Sequence, residues 1–118
     1  MIVSLDHLQL ALPAGKEDDM RAFYCDLLGC AEVAKPDALA GRGGFWAQAG
    51  DLQLHFGVDP DFKPAGKAHP AFVVADIDDL AARLSDAGHA VAWDDKLPDV
   101  RRFFIADAVG NRIEIIAA

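Results

Sequence analysis

The chain has 118 residues, enough for one ordinary domain or two very small modules that share a core, and 53% of them are hydrophobic, which excludes a disordered chain. Its formal net charge is −8, from 11 basic and 19 acidic residues, so neither nucleic acid nor an anionic membrane is expected as the main partner; either would need a basic patch. No apolar run approaches the ~18 residues of a membrane-spanning helix, Met1 to Asp6 do not read as a signal peptide, and Cys25 and Cys30 lie outside any CxxC pattern, as suits a reducing cytoplasm.

Residues 5–12 alternate at period two, with Leu8, Leu10 and Leu12 on one side and His7, Gln9 and Ala11 on the other, which predicts a half-buried strand ended by Pro13 and Gly15. Over 17–28 the period changes. Met20, Phe23, Tyr24, Leu27 and Leu28 form the apolar stripe of a helix, with acidic Glu17, Asp18 and Asp19 at its N-terminal end and Gly29 after it. A short strand is expected near 31–34, a loop over 35–43, and two strands at 44–49 and 51–57 joined by a tight turn at Gly50-Asp51. In the second of these, Gln53 and His55 share one face and Leu52, Leu54 and Phe56 the other.

Residues 58–67, with Pro60, Pro64 and Gly66, read as the linker between module 1 (about 4–57) and module 2 (about 68–117). The order then repeats. A strand covers 69–74, Asp76 caps a helix with the stripe Ile77, Leu80, Ala81 and Leu84 ending at Gly88, and strands follow at 90–93, 102–106 and 112–116. His7 and His69 occupy equivalent first strands, 62 residues apart, and Gln53 and Glu114 equivalent last strands, 61 apart. Two landmarks with nearly one offset mark an internal duplication of a βαβββ unit.

Helices covering one face of a sheet leave the other free, and that face carries His7, Gln9, Gln53, His55, His69, Arg112 and Glu114. Two imidazoles and one carboxylate are a nitrogen/oxygen donor set for Zn, Ni, Co, Mn or Fe, with the Gln53 carbonyl as a neutral fourth ligand. A divalent ion there keeps residual positive charge for Lewis-acid work on a substrate oxygen. A single His on a strand is more often a solvated side chain than a ligand; His89, in a loop, takes that reading. The equivalent places of His7 and His69 in the repeat set them apart.

The stretches Asp6-His7-Leu8-Gln9-Leu10, Phe23 to Gly29, Leu52-Gln53-Leu54, His69 to Val74 and Asp107 to Glu114 resemble the vicinal oxygen chelate superfamily, which includes glyoxalase I, bleomycin-resistance proteins, fosfomycin-resistance enzymes and extradiol dioxygenases. The resemblance covers essentially the whole chain. It implies an α+β glyoxalase-like fold, with paired βαβββ modules forming a curled eight-stranded mixed sheet. By position it maps the family's metal ligands onto His7, Gln53, His69 and Glu114, with Glu114 or His55 moving a proton. Gln9, Trp46, Arg102 and Phe104 are expected to contact a small-molecule substrate. Two departures stand out: Gln53 occupies a position where glyoxalase I has Glu, and Ala108 replaces the Pro of the family's Asp-Pro-x-Gly-Asn turn. The composition makes a cytoplasmic protein the default, and with the resemblance the expectation is a divalent-metal-dependent lyase, isomerase or thiol transferase, with module pairing inside one chain or across a homodimer. Two rivals are a metal-free binding protein of the bleomycin-resistance kind and an iron(II) ring-cleaving dioxygenase in which His55 is the further catalytic His.

Overall fold

A computed structural model describes residues 1–118, which divide into two compact units, Met1–Lys63 and Pro64–Ala118. In the first, β1 (Leu8–Leu12) is followed by α1 (Glu17–Arg21), which runs directly into a π-helical turn at Ala22–Leu27. Then come β2 (Ala31–Val33), a 3-10 turn at Asp37–Leu39, β3 (Phe45–Ala49) and β4 (Leu52–Val58). The second unit has β5 (Ala71–Val74), α2 (Ile77–Asp86), β6 (Ala92–Asp94), β7 (Arg102–Ala106) and β8 (Arg112–Ala117). Each unit holds a four-stranded mixed sheet, in the orders β1-β4-β3-β2 and β5-β8-β7-β6. The same topology in the same chain order is the duplication seen as a sequence offset. No helix is long and apolar enough to cross a membrane.

Both sheets are mixed rather than antiparallel: β1 runs parallel to β4 and β5 parallel to β8. The helix between the first and second strands returns the chain so that the last strand, not the second, lies beside the first. The expected strands over 5–12 and 69–74 are shorter at their starts. Pairing begins at Leu8↔Leu54 and at Ala71↔Glu114, so His7 and His69 lie just outside the strands. In the second case Pro70 supplies no N–H to a ladder, and its carbonyl accepts from Glu114 N at 3.0 Å, closing the sheet there.

The apolar stripe of the first helix is buried as expected at Met20, Phe23 and Tyr24. The helix is not α throughout. Leu28 N–H donates to the Phe23 carbonyl, five residues back, and Cys30 N–H to that of Tyr24. The wider turn leaves Leu27 and Leu28 half-buried instead of core. In the second unit Asp76 accepts from Asp79 N–H at 3.0 Å, an N-cap bond, and α2 buries Ile77, Leu80, Ala81 and Leu84. The first core also holds Leu12, Phe45, Leu54 and Phe56; the second holds Phe103, Ile105, Ile113 and Ile115. All are inward members of alternating strands.

The loop from β2 to β3 passes closely over β4. Gly43 and Gly44 both have positive φ, +74° and +73°, and a Cβ on Gly44 would overlap the Phe56 carbonyl oxygen. Glu17 fixes this crossing, accepting from Gly15 N–H at 3.0 Å and from Gly44 N–H at 3.3 Å. Its own backbone N–H first, then those of Gly44 and Gly15, hold the Glu17 carboxyl below its ordinary pKa.

Candidate functional site

In the first unit, strand register gathers the polar side chains. Trp46 lies opposite His55 and Gln48 opposite Gln53 on the β3–β4 pair, while Gln9 is level with His55 on the β1–β4 pair. Cross-strand partners project to the same face. Of these, Trp46, His55, Gln53 and Gln9 line a cleft of about 570 Å³, with Asp6, His7, Lys35 and Arg42 also on its walls. Three rings stack along one side. His55 lies 3.7 Å from Trp46 at an interplanar angle of 1°, and His7 lies 4.0 Å from His55 at 21°. His55 is 7% exposed, and its Nε2 is buried with no hydrogen-bond partner. Burial pushes the His55 imidazole below its ordinary pKa; the neighbouring His7 adds to the effect and Asp6 opposes it. The Gln9 amide lies over Gly57, where a Cβ would overlap its Nε2.

In the second unit Phe104 lies opposite Glu114, and Ala71 flanks Glu114 on the other side. Glu114 is a carboxylate held 8% exposed between two groups. Its Oε1 lies 3.2 Å from His69 Nε2, and its Oε2 accepts from Arg102 Nη1 at 3.4 Å. Arg102 also donates to Asp94 Oδ1 at 3.1 Å, across the β6–β7 pair. The Lys96 N–H first, and then Arg102, hold the Asp94 carboxyl below its ordinary pKa. The Phe104 ring meets His69 edge-on at 5.6 Å and carries the Arg112 guanidinium over its face at 4.3 Å.

The two candidate histidine ligands share a feature that bears on metal binding. His69 Nδ1 lies 2.9 Å from the Lys67 carbonyl oxygen, which can only accept, so Nδ1 carries the proton. His7 Nδ1 lies 2.8 Å from the Asp6 carboxylate, which fixes the same tautomer. In the neutral ring each Nε2 is then a lone-pair donor, the state a metal requires and the usual orienting contact behind a metal-bound His. At His69 that lone pair faces the Glu114 carboxylate. Two acceptors 3.2 Å apart need a proton or a cation between them. The donor chemistry therefore fits a divalent ion. The structure does not gather three or more His, Cys, Asp or Glu side chains into one metal-binding group. The sequence-predicted ligands lie two and two, His7 and Gln53 in the first unit, His69 and Glu114 in the second.

Of the expected substrate contacts, Gln9 and Trp46 line the first-unit cleft. Arg102 and Phe104 lie on the face of Glu114. Arg102 is already matched by two carboxylates, Asp94 and Glu114, so its charge is largely committed within the fold. Sequence reading passed over Asp6, Asp94, Lys35 and Arg42. Asp6 was signalled by standing directly before His7. Asp94 becomes legible only once β6 and β7 are paired, and Lys35 and Arg42 lie in a loop without periodicity.

A family model described as a glyoxalase-like domain matches residues 9–116. Among solved structures, a glyoxalase family protein from Bacillus anthracis is 44% identical, with 99% of this chain and 96% of that chain covered and a TM-score of 0.93. The fosfomycin resistance protein FosX from Listeria monocytogenes is 16% identical over 100% of this chain and 95% of its own, with a TM-score of 0.80. Lactoylglutathione lyase from Agrobacterium tumefaciens is 20% identical over 94% and 92%, with a TM-score of 0.69. No curated protein matches. The two more distant likenesses concern the fold alone.

Proposed function

Because the chain belongs to the glyoxalase-like domain family of the vicinal oxygen chelate superfamily, we propose that it is a divalent-metal-dependent lyase, isomerase or thiol transferase acting on a small, oxygen-chelating substrate. The observation that carries this reading is the shared contact of His7 and His69, each with Nδ1 against an acceptor oxygen, the orienting contact that leaves Nε2 to a metal when the ring is neutral. In the proposal His7, His69 and Glu114 ligate the ion and Gln53 adds a neutral oxygen. The bound ion supplies Lewis-acid polarisation of a substrate oxygen.

The chain's own groups have distinct tasks in this reading. Asp6 and the Lys67 carbonyl hold the two imidazoles in the ligating tautomer. Arg102 fixes one Glu114 oxygen, leaving the other toward His69. Burial favours the neutral form of His55, in which one ring nitrogen can accept a proton, and His55 or Glu114 moves the proton. Gln9, Trp46 and Phe104 contact substrate, while the expected substrate contact Arg102 serves instead as the counter-charge of Glu114 and Asp94. Gln53 in place of a second carboxylate separates this chain from glyoxalase I as the resemblance describes it and favours a reaction needing one carboxylate. The proposal includes a cytoplasmic location, supported by two free cysteines, and assembly as a homodimer, with no nucleic-acid or membrane partner.

A second reading is favoured by the Trp46–His55–His7 stack, which makes one side of the cleft a flat aromatic wall suited to a planar ligand. In that case the protein sequesters a small molecule without metal. Calorimetric titration of tag-free protein with Zn, Ni, Co and Mn separates the two. The enzyme reading expects stoichiometric uptake that His7→Ala and Glu114→Ala abolish. Uptake of none of the four ions would leave the binding reading in its place.

A further inference from the structure

The cleft of the first unit has a cationic wall to which the proposed reaction gives no task. Lys35 and Arg42 both come from the loop between β2 and β3. Neither takes part in an ion pair, although the chain carries 19 acidic residues against 11 basic ones. The one carboxylate on the cleft, Asp6, is hydrogen-bonded to His7.

The wall is built rather than incidental. Lys35 Nζ donates to the Gly43 carbonyl at 2.6 Å, which anchors the ammonium across the neck of the loop and leaves two of its three N–H groups free. The neck cannot relax outward easily. A Cβ on Gly43 would press on Val58 Cγ2 at 2.9 Å, Gly44 sits against the Phe56 carbonyl, and Glu17 clamps Gly44 N–H. Arg42 directly precedes this pinned pair and lines the cleft. On the same cleft, His55 offers a buried Nε2 without a partner, and Gln9 a side-chain amide.

We propose that Lys35 and Arg42 form an oxyanion subsite, which holds a carboxylate or phosph(on)ate group of the substrate in the first-unit cleft. Two cations without carboxylate partners bind such a group by charge-assisted hydrogen bonds, and the guanidinium fork matches its paired oxygens. In a chain of net charge −8 an anion is repelled at long range, so a local cationic pair is what selects it. The inference rests on reading the cleft as the substrate site. It narrows the substrate to a small molecule that carries an anionic group as well as its metal-chelating oxygens.

The test uses the full chain in the presence of chelator, with Trp93→Phe so that Trp46, on the cleft wall, is the only tryptophan. Methylphosphonate and acetate are titrated separately while Trp46 emission is followed. A saturable response to either anion is expected. Arg42→Gln, which removes an exposed side chain without an ion pair and leaves the fold intact, should weaken it about tenfold, and Lys35→Gln combined with it further still. Lys96→Gln, in the second unit, should leave it unchanged. Absence of a saturable response to both anions overturns the inference, as does equal weakening by Arg42→Gln and Lys96→Gln. Metal uptake is read separately: if it fails while anions still bind, only the enzyme reading falls, and if anions fail while metal binds, only the subsite does.

Discussion

Replacing Gly44 by Ala tests whether the β2–β3 loop is pinned to β4 as described. Two costs apply. The residue stands at φ +73°, a left-handed conformation that costs an L-residue about 1–2 kcal/mol. Its new Cβ would also overlap the Phe56 carbonyl oxygen, an atom of a central strand that cannot swing aside as a side-chain tip does. Forced overpacking of this kind costs about 1–3 kcal/mol. The sum is about 3 kcal/mol, and Gly50→Ala provides the control. Gly50 has φ +57° with nothing within 4 Å of the added Cβ, so it bears only the conformational cost, about 1 kcal/mol. Urea unfolding followed by Trp46 emission in the Trp93→Phe background reads both. With a slope of about 1.5 kcal/mol per molar urea, Gly44→Ala should lower the midpoint by about 2 M and Gly50→Ala by well under half of that. Equal midpoints for the two variants would refute the close crossing, and with it the fixed wall of the cleft.

Other consequences follow from the titrating groups. The folded chain resists protonating His55, whereas the unfolded chain takes the proton at the ordinary value of 6.5. The stability this neutral imidazole contributes is therefore present above about pH 6.5 and lost as pH falls below it. Urea midpoints at pH 7.5 and 5.5 should differ less in His55→Gln than in the parent chain; an identical pH slope in both would contradict the burial argument. Burial also pushes the Cys30 thiol up to about 11 and raises that of half-buried Cys25. At neutral pH a thiol-reactive disulfide reagent should label Cys25 slowly and Cys30 only on unfolding, and rapid labelling of two thiols in native protein would show the environment to be wrong. Gly57→Ala places its Cβ on the Gln9 amide, a movable side-chain end. It should unfold within about 1 kcal/mol of the parent while weakening anion binding in the cleft; a large loss of stability would mean that Gln9 is not free to yield.

The architecture was legible because alternation and helical period alone mark buried faces, and the duplication supplied a second copy of each signal. Ile77, Leu80, Ala81 and Leu84 were read correctly because their period is undisturbed and Asp76 caps the helix through a local bond. The π-turn after Arg21 was not legible, since Phe23 and Tyr24 satisfy an α pattern equally well up to that point. Parallel pairing of β1 with β4 is a property of chain return and leaves no mark on either strand. For the site, residue type and repeat offset marked out His7, His69, Gln53 and Glu114. Of the partners that set their chemistry, Asp6 is marked by adjacency to His7, whereas the Lys67 carbonyl, Arg102 and Asp94 depend on backbone shape and strand pairing. Arg102 shows the limit most clearly. As a residue it reads as a substrate anchor, yet in the fold it is an internal counter-charge for Glu114 and Asp94.

The central claim is that His7 and His69 are held as Nδ1–H tautomers whose Nε2 atoms ligate a divalent ion. Nitrogen-15 NMR of the histidine rings, recorded at neutral pH before and after addition of one equivalent of Zn per chain, tests it most directly. The account predicts that the Nε2 resonances of His7 and His69 shift on addition, that their Nδ1 atoms stay protonated, and that His89 is unaffected. Unmoved His7 and His69 rings, or a shift confined to His89, would contradict it.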